Sequence, residues 1–582
     1  MTEGKESEQD DDEDKNSGAL YSDDESIIEE ASEENLETAE TEAHINGIFS
    51  VNKQEQILNV TTLPKKVRIE CKLNNIDDVL EELGGFGKFQ FMMLIFLLGF
   101  EIPTAFLVFI PVFIGATPSI WLCDNETISR TDACTCEGQL YPLDSTVSIV
   151  TEWKLICSTS WVSDTIVSLQ MLGMMFGSIC VSQLSDWYGR RYVFLTMVLQ
   201  MIVACILTAT APNAWVYAAA RFLCGGAFAG FLTTTAIYSM EFLTPKWRQL
   251  SSVGPFGEGT MLLGVIAYFL RPWRTLVWVT LLPFTLIVVI FPFVPESPRW
   301  LLRNQKFEKC HTVLKYIARV NGKAPISMET LKFIAEKERP ASDNDDGKVE
   351  RFSYFIFCRD KNLRKTTLYL QGIWFMWALV YFGISYNIKN LAGNPYLNVI
   401  LMGGVDAIGY PTSFLVNIKI GRRKALVTFM TITAIFLVAI AILLLTVGLE
   451  GHDSLRASLY FIGKFGTAGA RSACRTLTGE SFPTAVRTMG IAMASITASL
   501  GAAVSPQLAY IGAYWPSVPF FVLAAISVTG SLMSFLLTET SGKPLQEMQD
   551  KKIRYKKPAQ KYGVGTIVPM NNEDDEHNMK HL

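Results

Sequence analysis

Long apolar runs constrain this chain more than any other feature. About a dozen blocks of the 582 residues approach the roughly 20 that a helix needs to cross a bilayer's hydrocarbon core. They lie near 89–114, 162–184, 192–211, 214–239, 250–270, 274–294, 366–388, 395–417, 425–448, 456–478, 487–511 and 517–538, and are called here spans one to twelve. A segment inside lipid must satisfy its backbone hydrogen bonds internally, so these blocks are helices. Length alone would allow several soluble domains. The block pattern excludes that, and the expected fold is an all-α polytopic membrane protein.

No cleavable signal is expected before the first span. Residues 1–44 are acidic and poor in apolar side chains, which predicts a disordered tail on the cytosolic side. That tail also makes the net charge of −5 misleading, because it conceals basic loops. "DWYGRRY" (186–192), "TPKWRQ" (244–249), "IKIGRRKA" (418–425), "TAVRT" (484–488) and "KKIRYKK" (551–557) fall on alternate sides of successive spans. The positive-inside preference puts all of them, and both termini, in the cytosol.

The same count places residues 115–161 outside, with Cys123, Cys134, Cys136 and Cys157 in an oxidising compartment. Two disulfides are expected, with three pairings open. Asn125 opens an Asn-Glu-Thr glycosylation sequon in the same loop.

"YGRR" after span two and "IGRR" after span eight occupy equivalent places in two six-helix halves. Duplication of this kind is how many secondary transporters are built, with substrate bound near the midplane between the repeats. The expected organisation is an acidic tail (1–80), a first half (81–294), a cytosolic linker with short helices (295–365), a second half (366–538) and a C-terminal tail (539–582).

"SDWYGRR" (185–191) resembles the cytosolic signature of the major facilitator superfamily. That resemblance implies a latch in which Asp186 supplies a carboxylate, Gly189 a tight turn, and Arg190 and Arg191 the charges that meet carboxylates and helix ends. Ser182 stands where the pattern usually has glycine, and Trp187 where it often has a basic residue. "VTEWKLIC" (150–157), "PESPRWLL" (295–302), "NLAGNPYLN" (390–398), "GESFPTAVRTMG" (479–490) and "TETSGKPL" (538–545) together resemble the organic cation, organic anion and carnitine transporter family. The likeness runs from about residue 80 to 550. It implies twelve spans in two pseudo-symmetric halves, transport by alternating access, and gating parts that include Arg221, Glu296, Arg299, Gly421, Arg422, Arg423 and Glu480.

Within that family the seventh span often offers aromatic rings to the substrate. Here Gln371, Trp374, Trp377 and Tyr381 are spaced three, three and four apart, on one helical face. Ring faces attract organic cations, each contact contributing roughly 0.5–2 kcal/mol; the alternative is that the rings fill space between helices. At the eleventh-span position where the family's cation and anion carriers differ in charge, this chain has neutral Ser499.

Span ten is unusual. "GKFGTAGARSACRTLTGE" (463–480) puts Arg471 and Arg475 four residues apart inside an apolar segment. An arginine near the centre of a span costs about 2.5–3.5 kcal/mol on insertion scales, so it must face a partner or a wet cavity. One reading is an anion-binding fork that replaces the charge missing at Ser499. The other is internal pairing with Glu101, Glu258, Asp164 or Asp406. Glu101, beside Pro103, is also a candidate protonation site.

An enzyme is not expected: there is no nucleophile elbow and no phosphate-cradling loop, and the five histidines lack metal-ligand spacing. No cofactor, metal or nucleic acid is implied. The expected partners are the bilayer, a small organic ion and, left open, a coupling ion, in a multi-pass protein of the plasma membrane. Substrates would be anions or zwitterions such as carnitine-like compounds. The alternatives are a cation carrier with structurally paired arginines, or a transporter fold that acts as a sensor or scaffold.

Overall fold

The computed structural model of the chain describes residues 73–540, apart from residue 74, the segment 338–355 and short loop stretches, among them 143–147, 251–253, 449–451 and 483–485. The sequon residue Asn125, most of the acidic tail and the tail beyond residue 540 lie outside the described residues.

Ten helices among the described residues are long and apolar enough to cross a membrane. They are span one (Lys88–Ile114), two (Trp161–Tyr188), three (Arg190–Thr210), four (Ala214–Phe242), six (Trp273–Ile290), seven (Lys361–Asn387), eight (Pro395–Ile420), nine (Arg422–Thr446), eleven (Arg487–Gly512) and twelve (Val518–Phe535). The remaining two of the twelve fall short for opposite reasons. Span five is apolar but helical only over Phe256–Phe269. Span ten, Asp453–Ser481, is 29 residues long but carries Arg456, Lys464, Arg471 and Arg475.

The chain divides into two compact units, of which the smaller comprises Met1–Phe91, Glu241–Lys246 and Ser297–Val349. Helix Ile76–Glu82 belongs to it and runs across the expected boundary between tail and first half. The physical reason is local: a capping box at Asn75 starts the helix, and Ile76, Val79 and Leu80 bury one face. Arg299 pairs with Asp77 and donates to the Glu241 and Leu243 carbonyls. The Asn321 amide gathers the Leu83 carbonyl, the Phe89 N–H and the Gln90 side chain. Burial on the inner face of helix Phe307–Asn321 pushes the Cys310 thiol up to about 12.

The larger unit holds Met92–Met240, Trp247–Glu296 and Glu350–Leu582, and so both six-helix halves. The halves meet through spans two and eleven and through spans five and eight. Glycines set the closest approaches. A Cβ on Gly177 would lie 2.1 Å from the Gly226 carbonyl oxygen, and one on Gly225 would lie 1.9 Å from that of Gln170, so spans two and four touch backbone to backbone. Spans five and eight do the same, since a Cβ on Gly403 would lie 2.6 Å from the Gly257 carbonyl oxygen.

The end of the unit carrying both Gly-Arg-Arg turns is called here the motif end, and the opposite end the loop end. At the loop end, strands β1 (Ile120–Cys123), β2 (Glu126–Ser129) and β3 (Leu140–Pro142) form an antiparallel sheet in the order β2-β1-β3. This small sheet is an addition to the expected all-α architecture; Trp121 faces Ile128 on one side and Pro142 on the other. Of the three pairings left open, the structure has Cys123–Cys136 and Cys134–Cys157. The "VTEW" stretch forms a helical turn, Ile149–Glu152, whose Glu152 accepts from Trp273 Nε1 at 2.8 Å and from Arg274 at 2.5 Å. Arg274 also donates to the Ala209 and Ala211 carbonyls, so one carboxylate and one guanidinium lace the loop to the ends of spans three and six.

Candidate functional site

Each half is braced at its motif end by a glutamate. Gly189 and Gly421 adopt matching conformations, φ 100° with ψ 161° and φ 94° with ψ 160°, which a side chain would strain. The turns leave the first N–H groups of spans three and nine free, and a carboxylate takes them in both halves. Glu296 accepts from the Arg190 and Arg191 amides at 3.0 and 3.1 Å; Glu539 accepts from those of Arg422 and Arg423 at 2.9 and 3.4 Å. The side chains diverge. Arg190 pairs with Asp186 at 3.0 Å, whereas Arg422 reaches Glu480 on span ten at 3.1 Å. Glu539 was missed in the sequence; its place after span twelve, matching that of Glu296 after span six, is the signal that would have found it.

At the loop end the bonds cross between the halves. Asp164 of span two pairs with Lys389, just after span seven, at 2.5 Å. Gln507 of span eleven donates to Thr165 and Ser168 of span two at 3.4 and 3.2 Å. The Tyr386 hydroxyl donates to the Val108 carbonyl at 3.0 Å, and the Phe113 ring stacks on Tyr396 at 5.4 Å. Asp164 is therefore occupied at the loop end and is not a partner of the span-ten arginines.

Between these ends lie the charged residues of spans one, five, eight and ten. Arg221 of span four is buried and donates to the Leu107 carbonyl and to Gln170, which ties spans one, two and four together. Arg471 sits between two rings, 5.4 Å from Phe256 of span five and 5.0 Å from Tyr410 of span eight, and donates to the Tyr410 hydroxyl at 2.8 Å. Arg475, half-buried, makes no hydrogen bond or ion pair with any described residue. Glu101 is buried; its carboxylate lies against Gly254, where a Cβ would be 1.8 Å away, and has both arginines and Glu258 within electrostatic range. Neither Glu101 nor Glu258 forms an ion pair with a described residue.

The seventh-span face divides in two. Gln371 and Trp374 are half-buried, with Gln371 accepting from Thr497 at 2.7 Å and Trp374 donating to Thr478 at 2.9 Å. The Gln371 Nε2 group is buried without a hydrogen-bond partner. Trp377 and Tyr381 are buried, with bonds to spans ten and eight. Trp377 donates to the Thr467 carbonyl at 2.9 Å, and Tyr381 donates to Asp406 at 2.8 Å. Ser499 is buried and bonded to the Ser495 carbonyl at 2.9 Å, so its hydroxyl is spent on its own helix.

Lys464, inside the quoted "GKFG" but not singled out by it, is fully buried. It pairs with Asp406 at 3.4 Å, donates to Ser385 at 2.6 Å and lies 3.3 Å from the Tyr381 ring centroid. An aligned opposite charge on span eight is the signal that would have found it. Among the described residues, no group of three or more His, Cys, Asp or Glu side chains stands together as a metal site.

Comparisons with known proteins bear on this geometry. The pattern of the family described as Sugar (and other) transporter matches residues 123–551. An organic cation transporter protein of Drosophila melanogaster is 30% identical over 445 residues, covering 75% of this chain and 80% of that protein. Solute carrier family 22 member 6 of Mus musculus is 30% identical over 442 residues, with 75% and 76% covered. Organic cation/carnitine transporter 2 of Homo sapiens is 29% identical over 414 residues, with 70% and 72% covered. Among solved structures, the inward-open xylose transporter XylE from E. coli superposes with a TM-score of 0.54 at 16% identity, covering 78% of this chain and 98% of that one. That last likeness speaks to the fold alone.

Proposed function

This chain belongs to the solute carrier 22 family of organic cation, organic anion and carnitine transporters, within the major facilitator superfamily, and from that premise we propose that it carries small organic anions or zwitterions. Members are membrane transporters, not enzymes, and the transport of organic ions is the common ground of the relatives described above. The narrower reading rests chiefly on Arg475, a permanent charge within a span with no protein acceptor among the described residues. A carboxylate, sulfate or phosphate supplies that acceptor and repays desolvation with charge-assisted hydrogen bonds. The buried Gln371 Nε2 group, without an acceptor, and the ring-held Arg471 are further donors.

Glu101 and Glu258 favour a second feature of the substrate. Two carboxylates within electrostatic range of each other and without ion-pair partners among the described residues suit an ammonium group, which makes a zwitterion the best single fit. If the acids dominate, the protein is a cation carrier and Arg475 serves to balance Glu101. Glu101 is also the residue on which proton coupling would turn. In this reading the motif end faces the cytosol of a cell whose plasma membrane holds the protein, and alternating access proceeds by rocking the halves about the site. The latch residues Asp186, Gly189, Arg190, Arg191, Glu296, Gly421, Arg422, Arg423 and Glu480, with Arg221, keep each half rigid while it moves, and Arg299 braces the smaller unit.

The test is uptake of labelled tetraethylammonium, benzoate and L-carnitine into cells expressing wild type, Arg475→Ala and Arg471→Ala, each normalised to surface protein. Loss of about tenfold in benzoate or carnitine flux on removal of Arg475, the scale of a charge-assisted hydrogen bond, supports the reading. Tetraethylammonium uptake that survives both substitutions, with no anion flux in wild type, assigns the cation reading. No flux of any class favours a sensor or scaffold.

A further inference from the structure

Arg471 stands at one end of a hydrogen-bonded chain whose other end is the buried Lys464–Asp406 pair. The links are Arg471 Nη1 to Tyr410 at 2.8 Å, Tyr410 to Tyr381 at 3.3 Å, and Tyr381 to Asp406 at 2.8 Å. A tyrosine hydroxyl has a single hydrogen. Tyr381 spends its hydrogen on Asp406, so the bond between the hydroxyls requires Tyr410 to donate, and Tyr410 is left able only to accept. Among the described residues, the donor it meets is the Arg471 guanidinium. With a guanidinium that can only donate at one end and a carboxylate that accepts at the other, every bond in the chain runs in one direction, from Arg471 toward Asp406.

Lys464 holds that end. Its ammonium group contacts Asp406 and Ser385 and lies over the Tyr381 ring, with both charged side chains fully buried. The pair is thus shielded from any ligand and yet linked to a residue of the candidate site.

We propose that Tyr410 is a positioning residue for Arg471, and that Asp406, held by Lys464 and acting through Tyr381, orients its hydroxyl to receive the guanidinium. An aromatic residue of the same size without the hydroxyl keeps the ring contact and loses the direction. The relevance to anion recognition rests on the reading of Arg471 given above; the orientation itself does not.

The experiment is arginine labelling of the purified full-length protein with phenylglyoxal, read residue by residue by peptide mass spectrometry. Tyr410→Phe is expected to raise the labelling rate of Arg471 by about tenfold, the scale of a hydrogen bond to a charged group, and to leave Arg475, one turn away, unchanged. Tyr381→Phe, which leaves Tyr410 in place and interrupts the chain behind it, is expected to raise Arg471 labelling by a smaller factor. A merely structural role would move both arginines together and overturn the proposal, as would an unchanged Arg471 rate in the two variants. Protection of Arg471 and Arg475 by benzoate or L-carnitine in wild type is scored separately. Its absence removes the substrate reading while the positioning result stands or falls by the labelling rates.

Discussion

Asp164 and Lys389 meet at 2.5 Å and join the first half of the transporter to the second at the loop end. Their bond is reinforced by Gln507 on Thr165 and Ser168, and it lies at the opposite end of the spans from the Gly-Arg-Arg turns. An interaction present in one orientation of the halves and broken in the other shifts the balance between them by its own free energy.

Lys389→Ala and Asp164→Asn should each move the population toward the state open at the loop end. A partly buried ion pair contributes on the order of 1 kcal/mol, so the shift is several-fold. Reaction of a membrane-impermeant maleimide with a cysteine introduced at Phe109 reports it. The exchanged pair, Lys at 164 with Asp at 389, should return the rate toward wild type, and a rate unaffected by all three changes would rule out a gating role.

Glu296 and Glu539 cap equivalent helices, so their replacement should cost alike. Glu296→Gln and Glu539→Gln each weaken the acceptor of two backbone N–H groups, a loss of about 1–2 kcal/mol by analogy with helix caps. Thermal unfolding of the detergent-solubilised protein should show the two midpoints lowered by similar amounts. A large effect at Glu296 with none at Glu539 would mean that the two braces are not equivalent.

Ser499→Ala should leave uptake and stability nearly untouched. Its hydroxyl bonds to the Ser495 carbonyl one turn earlier, and such a bond contributes little when lost together with the group. A several-fold rise in KM for any transported ion, at unchanged surface expression, would return Ser499 to the substrate site.

Gly177→Ala and Gly225→Ala should lower the yield of folded protein sharply, because the new methyl would meet a backbone carbonyl at 2.1 or 1.9 Å. Overpacking of this kind costs about 1–3 kcal/mol or more. Gly479→Ala, where a Cβ meets nothing within 4 Å, should be neutral or slightly stabilising. Fluorescence-detected size exclusion of the three variants separates the cases.

The spans and their repeat were legible because a bilayer imposes a length and a hydrogen-bonding rule that sequence obeys directly. Span ten was legible as an apolar block despite Arg456, Lys464, Arg471 and Arg475. What the sequence could not convey was which neighbour covers a given face. Helical spacing put Gln371, Trp374, Trp377 and Tyr381 in a row, but packing by spans eight and ten, remote in sequence, closes over the last two. Lys464 escaped notice for the same reason, since its meaning depends on Asp406, 58 positions earlier in the printed sequence. The short strands β1 to β3 carry too little periodicity to stand out within a cysteine-rich loop.

The glutamate braces join Gly-Arg-Arg turns to the ends of their own halves, whereas the Asp164–Lys389 pair joins one half to the other. A carrier clasped in this way has a default side of the membrane to sample. In the orientation proposed above, cargo on the motif side reaches the site first, while cargo on the loop side must first outlast the clasp. The strength of the Asp164–Lys389 bond then biases whether the protein works mainly as an importer or as an exit route.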